Sequence, residues 1–141
     1  MSVNKISLMD AYMIESLRRK EITDDEIIEK ATAGDVSSWE VLQPHYDFTE
    51  LSKLAKQNKD AFHSIIQDGY QIKFVTIYGI QSLLKMKFNI LKDDYVTVEN
   101  GITQLKVTED QYLVLKQMLS TNWTMTETSS DGPNKVISIL M

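Results

Sequence analysis

The sequence predicts an α+β fold: a helical N-terminal half, then a small, mostly antiparallel sheet with a crossing helix (a ββαββ-like C-terminal half), and a winged-helix-like order in the middle. Three observations lead there. Helical spacing with capping residues runs as far as residue 68. "DYVTVENGITQLKV" sets Asn100-Gly101 between two alternating β-branched runs. "WTMTET" and "KVISIL" repeat that alternation after an amphipathic helix. The 141 residues, 43% hydrophobic and 25% charged, suit one domain with an adequate core and no staples. Residues 1–141 are accordingly expected to form a single domain: an acidic helical part (1–46), a basic helical centre (47–92) and a hairpin-helix-hairpin (93–141).

In the first part, Leu8, Ala11, Tyr12, Ile14 and Leu17 recur at helical spacing, with Arg18, Arg19 and Lys20 suiting a C-terminal turn. Thr23 and Glu26 form a capping-box pattern and Gly34 a stop, giving a helix over 24–33. A further turn runs from Ser37 to Leu42, before Pro44. Asp47 and Glu50 open a helix with Leu51, Leu54 and Ala55 on one face, and "KDAFHSIIQD" continues it, with a kink at Asn58 as one reading.

"YQIKFV" alternates and predicts a strand of about five residues. Thr76 then caps a helix over 77–88, where Ile77, Ile80, Leu84 and Phe88 form the apolar stripe. Tyr78, Gln81, Ser82, Lys85 and Asn89 form its polar side. Asn100-Gly101 predicts a two-residue type I′ hairpin, since both central residues of that turn need positive φ. Thr108 caps a helix with Tyr112, Leu115, Met118 and Leu119 inward, and "SSDGPN" turns between the last two strands.

Charge is unevenly distributed within the net −5. Residues 1–50 hold five basic and eleven acidic side chains, residues 51–92 seven and two, and residues 93–141 three and seven. The stretch 69–92 has four lysines and no acid. Residues 51–92 are where a polyanion would be welcome; complementing the acidic flanks within one fold is the plainer role.

Much chemistry is excluded or unindicated. Without cysteine there is no disulfide, thiolate catalysis, iron–sulfur cluster or cysteine-based zinc site. The two histidines, His45 and His63, stand apart from any nucleophile or ligand spacing, and "TDDEIIEK" reads as a helix start favoured by the dipole. No phosphate-loop, dinucleotide, zinc-protease or nucleophile-elbow pattern occurs. No enzymatic activity, cofactor or metal is therefore expected. The first 20 residues lack an apolar core of signal-peptide length, and no run approaches the ~18 apolar residues of a span. A cytoplasmic location without membrane association is the expectation.

The order helix 59–68, helix 77–88, hairpin resembles the winged helix-turn-helix architecture over residues 48–107. That resemblance implies duplex DNA as partner, with Tyr78, Gln81, Ser82, Lys85 and Asn89 in the major groove and Lys73, Lys87 and Lys92 on phosphates. Three features depart from it. The Gly69–Thr76 connection is about twice the usual three-to-four-residue turn, arginine is absent beyond residue 19, and the wing "DDYVTVENG" is acidic. The first expectation is thus a small regulatory or adaptor protein that binds another protein, with the same eight residues as contact candidates. A homo-oligomer is compatible with the same pattern. Trp39 and Trp123 are expected to anchor the core, with interface anchoring as the alternative for each.

Overall fold

The computed structural model describes residues 3–141. The chain is α+β, with helices in the N-terminal half and a four-stranded antiparallel sheet in the C-terminal half. It forms two compact units, the first ending at Tyr70 and the second running from Gln71 to Met141.

The first unit begins with the two-residue strand β1 (Lys5–Ile6) and continues with five helices: α1 (Leu8–Arg19), α2 (Asp24–Ala33), α3 (Ser37–Leu42), α4 (Phe48–Gln57) and α5 (Lys59–Asp68). Their starts are local side-chain events, in which an oxygen accepts one of the N–H groups that the first turn leaves unpaired. Ser7 accepts from Asp10, Thr23 from Glu26, and Asp47 from Thr49. Asn58 separates α4 from α5 and caps the latter through Ala61 N–H, so these are two helices rather than one kinked helix. Gly34 closes α2 in the left-handed conformation at φ 80°. Trp39 is fully buried and meets Phe48 edge-on at 5.8 Å.

A polar network lies among the apolar side chains of this unit. The Glu15 carboxylate is 1% exposed. One of its oxygens accepts from Tyr70 Oη at 2.7 Å and from Arg18 Nη1 at 3.0 Å. Arg18 also donates from Nε to Asp24 and from Nη2 to the Ile66 carbonyl, tying α1 to α2 and α5. Burial works to lower the Arg18 pKa, but the charges of Glu15 and Asp24 and the bond to Asp24 outweigh it and raise it.

Burial, then the charge and hydrogen bond of Glu15, push the Tyr70 phenol well above its ordinary value of 10.0, against the opposing charge of Arg18. The folded chain therefore holds this proton more tightly than the unfolded one. The associated stability is fully present below about pH 10 and is lost as pH rises toward the folded-state value. Urea midpoints measured from pH 8 to 11.5 should fall more steeply above pH 10 for the wild type than for Tyr70→Phe. The variant should keep a weaker slope, because Tyr46 and Tyr95 are also raised, each chiefly by burial. Parallel curves would contradict the assignment.

The second unit contains β2 (Gln71–Ile72), α6 (Ile77–Phe88), a 3-10 turn (Lys92–Asp94), β3 (Val96–Val98), β4 (Gly101–Val107), α7 (Glu109–Met118), β5 (Thr124–Asp131) and β6 (Asn134–Leu140). The sheet order is β3-β4-β6-β5, all neighbours antiparallel. β4 and β5 are thus parallel, joined by α7, and β6 inserts between them. Pairing puts Ile102, Leu105, Val107, Ile137 and Ile139 on one face together with Lys135. The Lys135 ammonium sits 5.4 Å from the Tyr112 ring centroid of α7, which identifies this as the helix-covered face.

Three local expectations change. The five-residue strand in "YQIKFV" shrinks to Gln71–Ile72. Beyond it, Val75 N–H donates to Ser120 Oγ and its carbonyl accepts from the Trp123 indole at 2.7 Å, so side chains take bonds that a ladder would have supplied. The hairpin turn is Glu99-Asn100, one residue earlier than expected, because Val98 pairs with Gly101. Among the described residues, positive φ outside glycine occurs at Glu21, Asn89 and Gln104, so Asn100 lacks the conformation of a type I′ turn. The last turn narrows to Gly132-Pro133, since β5 extends through Ser129 and Ser130 to Asp131.

Candidate functional site

α6 starts at Thr76, whose hydroxyl accepts from Gly79 N–H, and has no acidic residue in its first turn. It ends at Asn89, left-handed at φ 56°. Asn89 N–H bonds back to the Lys85 carbonyl, the 5→1 bond of an αL cap, and Ile90 N–H to that of Leu84, which turns the chain back beside the helix. Residues 90–92 thereby become one wall of a cavity whose other wall is α6.

This cavity, about 340 Å³, is lined on the helix side by Tyr78, Gln81, Ser82 and Lys85 and on the returning side by Ile90, Leu91 and Lys92. Five of the eight residues nominated from sequence meet there: Tyr78, Gln81, Ser82, Lys85 and Lys92. Lys73, Lys87 and Asn89 do not line it; Lys73 is exposed on the segment before α6, and Asn89 serves as the helix stop. Gln81 differs from its expected exposed position. It is 9% exposed, and its carboxamide donates to Thr97 Oγ1 on β3 at 3.3 Å. It therefore holds the wall rather than facing outward. Tyr78, by contrast, is 73% exposed.

The returning wall brings apolar side chains that the sequence reading missed, with Leu91 47% exposed. A signal was present: an asparagine, which tolerates the left-handed cap, stands at the helix end and is followed by Ile90 and Leu91. Two acids follow Lys92, but Asp94 is engaged with Leu91 N–H at 2.8 Å. The cavity is thus lined by two lysines and two hydroxyl-bearing side chains beside an aliphatic wall.

A second cavity, about 280 Å³, lies at the other end of α6. Phe74, Ile77, Trp123 and Met141 make it largely apolar, with Thr76, Glu99 and Asn100 completing it. Phe74 is 60% exposed.

Both histidines are exposed, and among the described residues no group of three His, Asp or Glu side chains could hold a metal ion. No described helix is long and apolar enough to cross a membrane. No family model matches the chain, and no curated protein or solved structure is similar enough to it to count as a match.

Proposed function

We propose that the protein is a non-enzymatic regulatory or adaptor module that acts by binding another protein through the face built from α6 and residues 90–92. The observation that carries this reading is the convergence of Tyr78, Ser82, Lys85 and Lys92 with Ile90 and Leu91 on one open cavity. An accessible aromatic ring, aliphatic contacts and a cationic rim match what protein interfaces use: apolar anchors for affinity and charges for orientation and on-rate.

Affinity capture from a nuclease-treated lysate tests it, comparing wild type with Lys85→Glu/Lys92→Glu. A protein retained by the wild type should be lost at least tenfold by the variant, while circular dichroism shows both folded. Equal retention would overturn the reading.

The second reading, a winged-helix-like regulator that holds duplex DNA with helix 77–88 and hairpin 95–107, draws on the four lysines and absence of acids in 69–92. Against it stand Asp93, Asp94 and Glu99 around the hairpin. Fluorescence anisotropy with labelled mixed-sequence duplex at about 50 and about 200 mM salt separates the readings. No binding at the lower salt is expected; binding that weakens steeply with salt and is lost in Lys85→Glu would favour DNA.

A further inference from the structure

We infer that the partner segment is an acidic peptide with a large apolar anchor, seated across both α6 cavities; this rests on the protein-binding reading above. The two cavities differ in chemistry. One presents Lys85 and Lys92 with the hydroxyls of Tyr78 and Ser82, the other the apolar side chains of Phe74, Ile77, Trp123 and Met141. A carboxylate suits the first, through charge-assisted hydrogen bonds. An aromatic or branched aliphatic side chain suits the second.

Glu99 lines the apolar cavity and repels carboxylates there, so the two features cannot exchange places. The spacing follows from the helix. Ile77 and Lys85 are eight residues apart, about 12 Å at a rise of about 1.5 Å per residue. An extended peptide advances about 3.3 Å per residue, so anchor and carboxylates should lie about four residues apart. Charge complementarity selects this occupant: four lysines and no acid in 69–92 disfavour a basic segment.

The test is a phage-displayed library of random dodecapeptides panned on the immobilised full chain at about 50 mM salt, in parallel with Lys85→Glu/Lys92→Glu and Phe74→Ala. Phe74 is exposed enough that its loss leaves the fold intact, which keeps the test open if the charge variant misfolds. Enriched peptides should carry a large apolar residue and, about four positions away, two or more carboxylates. Their enrichment should fall at least tenfold on the charge variant, and Phe74→Ala should relax selection at the apolar position.

Enrichment of peptides without carboxylates, equal enrichment on both lysine forms, or no enrichment would overturn the inference. The protein-binding reading would outlive neutral or basic peptides that displace the captured lysate protein. A lysate capture abolished by nuclease would remove that reading as well.

Discussion

Replacing Arg18 by alanine is expected to lower the melting temperature by about 10–20 °C. Arg18 supplies three bonds at once, to Glu15, Asp24 and the Ile66 carbonyl, and its loss takes the cationic partner from a carboxylate that is almost wholly buried, leaving Tyr70 Oη to donate to it. Removing one partner of a buried ion pair costs about 3–5 kcal/mol, which for a chain of this size gives a shift of that order. The paired change Glu15→Leu/Arg18→Met should recover much of the loss, because it removes both charges and leaves apolar volume. Thermal denaturation followed by circular dichroism reads both. An Arg18→Ala shift under about 3 °C would show that Glu15 does not depend on Arg18.

Gly101→Ala should cost about 3–5 kcal/mol, for a different reason. A Cβ at this position would stand 2.0 Å from the Ile139 carbonyl oxygen and 3.0 Å from Leu140 Cα, both backbone atoms of β6. Gly101 also holds φ 155°, which side chains rarely adopt. Neither neighbour can swing away as a flexible side chain would, so β4 and β6 must separate or the hairpin must shift. Urea denaturation should show a clearly lower midpoint with an unchanged slope. A wild-type midpoint would mean that the two strands do not approach so closely.

Gly101 also marks where sequence reading reached and where it stopped. Asn100-Gly101 signalled the right hairpin, but the glycine answers to β6, more than 30 residues on, and not to the turn. Elements set by contacts within a few residues were legible: Thr23, Thr76 and Thr108 cap the helices they were expected to cap. Elements set at long range were not. Val75 leaves its expected strand because Ser120 and Trp123 take its backbone groups, and Gln81 turns inward toward Thr97.

The candidate site was half legible for the same reason. Helical periodicity placed Tyr78, Ser82 and Lys85 on one face, and Lys92 was nominated from charge. The aliphatic wall depends on the left-handed turn at Asn89, and the apolar cavity on Trp123 and Met141, which approach α6 only in the folded unit. Glu15, set between buried Ile14 and Ser16 on α1, gave one hint of its role, an arginine three residues on.

The most direct measurement of the binding-face proposal replaces Tyr78 with the photoreactive p-benzoylphenylalanine and irradiates the protein in a cell lysate. Leu113, exposed on α7, carries the same group as control. The account predicts a polypeptide adduct at position 78, resistant to nuclease and absent at position 113. Equal crosslinking at the two positions, or an adduct at 78 that nuclease removes, would contradict it.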